Sequence, residues 1–374
     1  MKSFKVGQFV KQGTYKSFQP EKINRQWHVD NMELLNLLSQ ADRQLGRLDM
    51  YSEYIPNIDL FISMHVLKEA TQSSKIEGTK TNIEEALLEK EDLNEERRGD
   101  WEEVQNYISA LNTAITSLEK LPFSSRLIRQ THKTLLQGIR GKHKLPGEFR
   151  TSQNWIGGAS INDATFIPPI HQSINEYMGD LENFAHSDDY FFPELLKIAL
   201  LHYQFETIHP FLDGNGRVGR LMITLYLVEK GILKKPVLYL SDFFEKNRTS
   251  YYDNLTRVRE KSDLTQWFSF FLVGIIETAK NGISTFDRIL KLQKEVESKI
   301  QTLGSRSSNA QVLLKYLFQH PILEAQKAKE LTHLSLPSVY KLIEQLEKLQ
   351  ILKEITGSKR GKLYLFSEYT QLFH

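Results

Sequence analysis

The sequence contains no cysteine, which excludes disulfide staples, thiolate metal sites and cysteine nucleophiles. Long apolar runs are missing as well. The most apolar stretches, residues 221–228 and 268–276, fall well short of the ~20 residues that a membrane-spanning helix needs. The first twenty residues lack the apolar core of a signal peptide, so a cytoplasmic protein with no membrane partner is the expectation. No charge sign dominates: the formal net charge is +2. The small excess is uneven. Residues 305–374 carry ten Lys and Arg against six Glu, and the rest of the chain carries 38 basic against 40 acidic residues. A basic C-terminal piece reads either as nucleic-acid contact or as a solvated face. Strand signals are scarce, and neither an internal repeat nor a low-complexity segment stands out.

What is present is helical periodicity in a chain of 374 residues with 40% hydrophobic residues, enough for two or three domains with a sizeable core. Apolar residues recur at three- and four-residue spacing over 101–118, 192–207, 218–230 and 264–280, so the chain reads as mainly α. Residues 1–95 form an N-terminal helical region with a helix at 58–77. Thr81-Asn82-Ile83-Glu84 looks like a capping box for the next helix. Residues 96–300 form a central helical core. Within it, 150–169 is rich in Gly, Asn and Pro and reads as a β-hairpin or extended flap. Residues 304–309 have linker composition.

Residues 310–374 form a small unit with helices at 310–319, 324–331 and 337–349. Val339, Leu342, Ile343, Leu346 and Leu349 make one apolar stripe on the third. Strands at 352–356 and 362–366 follow, joined by a basic tip over 357–361. The order resembles a winged helix-turn-helix. In DNA-binding examples the third helix enters the major groove, and a protein-docking module of the same shape is the other reading.

The chemistry concentrates in His209-Pro-Phe-Leu-Asp213-Gly-Asn215-Gly-Arg217-Val-Gly-Arg220. This loop joins two apolar helices and opens the second. Exposed amides at a helix N-terminus favour anions. Gly214 and Gly216 allow the backbone close to a phosphate. Arg217 and Arg220, three apart, share a helix face and suit a polyphosphate. Asp213 supplies a hard oxygen ligand for Mg²⁺. His209 can take a proton near neutral pH. Each piece alone is ordinary: a loop histidine, an Asp-Gly-Asn-Gly turn, two solvated arginines. Their concurrence within twelve residues points to a site.

The run matches the Fic signature, His-x-Phe-x-Asp/Glu-Gly-Asn-Gly-Arg-x-x-Arg, at every fixed position. The resemblance extends to Trp155-Ile156-Gly157-Gly158 and Phe166-Ile167-Pro168-Pro169, which look like the family's target-docking hairpin, and covers most of residues 30–280. It implies a Fic helical core with a small β-hairpin flap, followed by the C-terminal unit. It further implies transfer of AMP from ATP to a Tyr, Ser or Thr hydroxyl of a protein, the chain itself included. His209 would be the general base and Asp213 the Mg²⁺ ligand. Asn215 would line an anion hole with the backbone of Gly214 and Gly216. Arg217 would meet the β-phosphate and Arg220 the γ-phosphate. Ile156 and Gly157 of the flap would dock the target. Tyr251 and Tyr252 resemble a pair lining the nucleotide pocket, and core or surface aromatics are the alternative. Doc-like kinases replace the second glycine with lysine; here Gly214 and Gly216 are both intact, which favours AMP transfer.

Ser73-Ser-Lys-Ile-Glu77-Gly78 matches the family's inhibitory motif, Ser/Thr-x-x-x-Glu-Gly/Asn. Its position before the core resembles the N-terminal class of self-inhibited members. A Glu77 carboxylate on Arg220 would take the guanidinium fork meant for the γ-phosphate and misplace the α-phosphate. Two other functions stay open. One is a hydrolase that removes AMP, with Glu77 orienting water. The other is a nucleotide-sensing regulator that binds DNA through residues 310–374. Relatives often form homodimers that tune the brake, and no interface signal in this sequence decides the point.

Overall fold

The computed structural model describes residues 4–55, 58–138, 143–187, 191–357 and 361–374. It opens on an antiparallel hairpin, β1 (Gly7–Gln12) and β2 (Tyr15–Pro20), with Gly7 opposite Pro20 and Gln12 opposite Tyr15. The helices α1 (Met32–Tyr54), α2 (Ile58–Ile76), α3 (Ile83–Leu87), α4 (Glu95–Ser117) and α5 (Ser125–Leu135) follow. The central core continues with α6 (Ile174–His186), α7 (Glu194–Ile208), α8 (Asn215–Glu229), α9 (Ser241–Lys246), α10 (Arg248–Lys261) and α11 (Leu264–Gln301). The C-terminal unit comprises α12 (Ser307–Leu317), β3 (Ile322–Glu324), α13 (Ala325–Thr332), α14 (Leu336–Lys348), β4 (Lys353–Glu354), β5 (Leu363–Leu365) and α15 (Ser367–Thr370). The expected mainly helical class holds.

Helices α7 and α8 form the centre. Every residue of α7 from Leu195 to Ile208 is buried, and α8 is buried from Arg217 to Leu227. A helix that is apolar all round belongs inside a larger assembly, and these two are wrapped by their neighbours. Trp267 of α11, fully buried, donates its indole N–H to Ala199 O of α7 at 2.8 Å. Helix α11 runs far beyond the expected 264–280. Its second half keeps Ile283, Phe286, Ile289, Leu292, Val296 and Ile300 buried, and this stripe packs along α1, whose Leu34, Leu38, Ala41, Leu45 and Leu48 recur at matching intervals.

Four expectations need correction. Residues 1–95 are not purely helical: the hairpin β1–β2 precedes α1. Its Phe18, fully buried, packs against Phe166 and donates its N–H to Ile167 O at 2.9 Å, so it props the base of the flap. The boundary at 95/96 cuts the first turn of α4, which begins at Glu95. Residues 304–309 are not a linker. A single 3₁₀ turn, Gly304–Arg306, leads straight into α12, and Arg306 is held by Gln345 at 2.8 Å. The capping box is one residue later than expected, with Asn82 as the cap and Glu85 as its partner.

The flap lacks full strands. Ile156 and Phe166 form a single antiparallel bridge, and a 3₁₀ turn at Ile161–Asp163 sits between them. In the C-terminal unit, α14 buries Val339, Leu342, Ile343 and Leu346 of the expected stripe, while Leu349 is half-buried at its C-cap. The strand β3, not foreseen, completes an antiparallel sheet of order β3-β5-β4. Ser358, Lys359 and Arg360 of the basic tip lie outside the described residues. Among the described residues no helix is long and apolar enough to cross a membrane.

Because Trp267 joins α11 to α7 at the molecule's centre, Trp267→Ala should lower the unfolding free energy by about 3–5 kcal/mol. Urea denaturation followed by circular dichroism measures this. A loss below about 1 kcal/mol would show that the contact is peripheral to the core.

Candidate active site

The site is built at the α7–α8 junction. His209 follows the last residue of α7 in the left-handed region, φ 50°, a conformation that costs a non-glycine residue ~1–3 kcal/mol. Arg150, itself buried, holds it there. Its guanidinium donates to His209 O at 3.0 Å and to Ser152 O and Pro169 O at 3.0 and 2.6 Å, and its backbone N–H reaches Pro210 O at 2.8 Å. One side chain therefore ties both ends of the flap to the turn that carries His209. Burial brings the Arg150 pKa down to about 10, still charged at neutral pH.

The loop between the helices is fixed from inside. Asn215 accepts from Phe211 N and donates to Phe211 O, both at 2.8 Å. Its side chain thereby braces the loop, and one amide N–H is left over from these two bonds. Phe211 stacks on His132, with ring centroids 3.7 Å apart. His132 accepts from Gly147 N at Nδ1, 2.8 Å, and therefore donates from Nε2 to Asp213 O, 3.0 Å. Burial lowers its pKa to about 4, so this tautomer persists at neutral pH. Gly214 then turns the chain with φ 75°, and α8 starts with first-turn amides that a helix cannot satisfy internally.

Asp213 Oδ1 accepts from Gly214 N at 2.6 Å and lies 3.5 Å from Arg217. Its side chain is 45% exposed. Among the described residues no three His, Cys, Asp or Glu side chains gather to hold a metal. A lone, accessible carboxylate still fits Mg²⁺, which commonly takes one or two carboxylates and completes its shell with phosphate oxygens and water.

Arg217 and Arg220 are both buried and both paired. Arg217 meets Glu103 of α4 at 2.9 Å. Arg220 donates from Nε to Ser73 Oγ at 2.8 Å, and from Nη2 to Ser73 O at 2.9 Å and Glu77 Oε1 at 2.6 Å. Glu77 lies just past the end of α2. Its carboxylate also rests over the first turn of α8, where a Cβ at Gly216 would collide with Glu77 Oε1. Burial pushes the Glu77 pKa up, but the charge and hydrogen bond of Arg220 outweigh it, and the net position is below the ordinary carboxylate value. The depressed value fixes the sign. The pair is complete above the ordinary carboxylate pKa and is lost only as pH falls through the lower folded value.

His209 has its Nδ1 buried without a partner. Burial, then the charges of Arg150 and Arg259, lower its pKa to about 3, so the ring is neutral and keeps a lone pair. Arg259 of α10 stacks over Phe166 of the flap, 3.8 Å from the ring centroid, and donates to Thr207 Oγ1 and Glu206 O at 3.3 and 3.4 Å. Glu206 is buried one turn before His209 with Oε1 unpaired and pressed against Gly219. Burial pushes its pKa up to about 7.

The structure brings Ser73, Glu77, His209, Asp213, Gly214, Gly216, Arg217 and Arg220 together. The tyrosines separate. Tyr251 is buried, stacked on Phe244, and its hydroxyl pairs with His202 at 2.9 Å, which is the core alternative. Tyr252 is 41% exposed. Ile156 and Gly157 sit at the bridged base of the flap, Gly157 with φ 70°. Sequence reading missed Glu103, Arg150, Glu206 and Arg259. Arg150 carried a faint signal, as the charged residue that opens the Gly- and Asn-rich flap segment. The other three lie within helical stretches, where a charged residue reads as surface.

Residues 35–116 match the family model described as Fic/DOC family N-terminal, and residues 122–227 match that of the Fic/DOC family. Among similar proteins, the chain is 33% identical over 125 residues to the protein adenylyltransferase Fic of Aedes aegypti, covering 33% of this chain and 22% of that protein. The chain thus spans about a fifth of that relative's length. It is 23% identical over 325 residues to a probable protein adenylyltransferase of Aquifex aeolicus, covering 82% and 96% of the two chains. A Fic family protein from Desulfovibrio desulfuricans G20 has the same fold, with a TM-score of 0.57 at 18% identity over 91% of this chain and 98% of that one. A Fic domain containing signalling protein from Bacteroides thetaiotaomicron gives 0.54 at 19% identity over 67% and 97%.

Arg150→Ala would leave several buried carbonyls without a donor. It should cost about 3 kcal/mol of stability and speed proteolytic cleavage within residues 151–168. Unchanged cleavage rates there would show that the flap is held by other contacts.

Proposed function

The chain belongs to the Fic/DOC family, and from that premise we propose that it moves AMP from ATP onto a hydroxyl side chain of a protein and is held back by Glu77. The carrying observation is the pairing of Arg220 with Ser73 and Glu77 beside a complete loop. A buried guanidinium fork at a helix N-terminus is a phosphate site, and here a carboxylate from the chain itself fills it.

The neutral ring of His209 faces the attacking hydroxyl and accepts its proton. The hydroxyl oxygen bonds to the α-phosphorus, the bond from that phosphorus to the bridging oxygen breaks, and pyrophosphate leaves. Arg217 and Arg220 orient the β- and γ-phosphates, and the first-turn amides at Gly214–Gly216 receive phosphate oxygens. A Mg²⁺ held by Asp213 and phosphate oxygens would neutralise charge there when bound. The flap, fastened by Arg150 and Arg259, holds the target segment near His209. Positioning and charge stabilisation supply most of the rate.

With Glu77 on Arg220, the γ-phosphate loses its fork and the α-phosphorus is misaligned. An error of about 1 Å costs on the order of 100-fold. Removing the carboxylate frees the fork, and because Glu77 lies beyond the end of α2, Glu77→Gly leaves that helix intact. A second reading, removal of AMP by water, draws on the 34% exposure of the Glu77 side chain, which leaves the carboxylate reachable by water. The two readings predict opposite responses: Glu77→Gly activates a transferase and disables a hydrolase.

We expect Glu77→Gly to raise self-modification by labelled ATP roughly 10–100-fold, and His209→Ala to abolish it in either background. Intact mass and label incorporation measure both. Failure of every form to incorporate AMP, into itself or into a lysate, would overturn the transfer reading. Because His209 sits near a pKa of about 3 while Glu206 is raised to about 7, the Glu77→Gly enzyme carrying Glu206→Gln as well should show no acid-side inflection between about pH 5.5 and pH 7.5. An inflection near the ordinary histidine value would contradict the neutral-ring assignment.

A further inference from the structure

The C-terminal unit has no part in the chemistry, yet it grips α2, the helix that leads to Glu77. Phe318, just after α12, meets Phe61 edge-on at 5.3 Å. Ser63 Oγ donates to Gln319 O at 3.3 Å. Phe373, in the last turn of the chain, meets His65 edge-on at 5.1 Å, and His374 pairs with Glu84 of α3 at 2.9 Å. Phe318, Tyr369 and Phe373 meet edge-to-face in series within the unit, so the gripping face is one aromatic block.

His65, Glu69, Ser73 and Glu77 follow one another at four-residue spacing, which places them along one side of α2 and its exit. The stripe has three kinds of anchor. His65 sits on the C-terminal unit. Buried Glu69 accepts from Tyr107 of α4 and from Ser241 of α9, the hydroxyls at 2.8 and 2.6 Å and Ser241 N at 3.1 Å. Ser73 and Glu77 sit on Arg220. A helix transmits a displacement along its axis, and twelve residues span only ~18 Å.

The seam between unit and helix is also imperfectly filled. A cavity of about 90 Å³ opens there, lined among others by His65, Lys68, Tyr239, Asn281 and Phe373. His65 Nε2 and the Tyr239 hydroxyl are buried without partners. Unpaired buried polar groups make a contact less costly to separate.

We infer that the C-terminal unit docks on α2 as a latch, and that lifting its Phe318–Phe373 face off Phe61, Ser63 and His65 loosens Glu77 from Arg220. This rests on the transfer reading for its activity readout, and on the structure alone for its conformational one. The unit is then an input to the brake, and whatever ligand pulls it from α2 raises activity.

The test uses the whole 374-residue chain with Phe373→Leu and Phe373→Ala, each in the native and the Glu77→Gly background. In the native background both should raise self-modification about five-fold or more, the lower range of ordinary allosteric coupling. In the Glu77→Gly background, where no brake remains, neither should raise it. Hydrogen exchange at amides 70–77 should quicken in both variants while α7 stays protected. Equal effects in both backgrounds would overturn the latch. So would unchanged exchange at 70–77, including the case where protection falls only within residues 307–374. If no form transfers AMP, the transfer reading alone fails and the exchange result decides the latch.

Discussion

Arg220 is a charge that the fold has taken out of water. At 2% exposure, a guanidinium without an anion would cost several kcal/mol, so something negative must always stand beside it. In this structure the anion is Glu77, and under the proposed function it is a phosphate. Burial would drain the proton from Arg220, yet the neighbouring carboxylate overcompensates and holds its pKa above the ordinary value. Much else follows from that need: Gly216 without a side chain so that the carboxylate can lie on α8, Ser73 fully buried to complete the fork, and Glu69 one turn earlier to fix the helix that delivers them.

Around this charge the site relies on neutral histidines as spacers. His132 and His202 each receive a hydrogen bond at one ring nitrogen and give one from the other. His202 donates to Gly219 O and accepts from the Tyr251 hydroxyl. Burial holds them near pKa values of about 4 and about 3, so neither adds charge to a pocket already holding Arg150, Arg217, Arg220 and Arg259. His209 shares that environment, and burial with the charges of Arg150 and Arg259 keeps its ring neutral as well.

The loop from His209 to Arg220 was legible in the sequence because its residues are contiguous and each has a distinctive chemical type. Ser73 and Glu77 were legible only through the resemblance, since the contact with Arg220 bridges more than 140 positions. Arg259, Glu206 and Glu103 were not legible, and Arg150 only faintly, as the charge that opens the flap segment. They act through backbone carbonyls, ring faces and paired charges that periodicity does not encode. Helix α7 was found, but Tyr251 could not be assigned, because an aromatic in the core and one at a pocket wall have the same spacing. Hairpin β1–β2 was not legible although Gly13-Thr14 is a turn signal, because its apolar residues Phe9, Val10, Tyr15 and Phe18 do not alternate. Six-residue strands are weak signals beside long helices. The length of α11 was underestimated although Ile283, Phe286, Ile289, Leu292, Val296 and Ile300 continue the same three- and four-residue spacing, and the Gly-Ser composition after it suggested flexible chain where the structure has a single tight turn.

Helix α11 has a mechanical consequence. Its 38 residues make a beam of about 57 Å. At one end it is bolted to α7 through Trp267, and at the other it leads through one 3₁₀ turn into α12. A tethered bead on a floppy cord would make its presence known to the rest of the molecule only by collision. A beam instead has stiffness, so a load on its far end is felt as torque at its root.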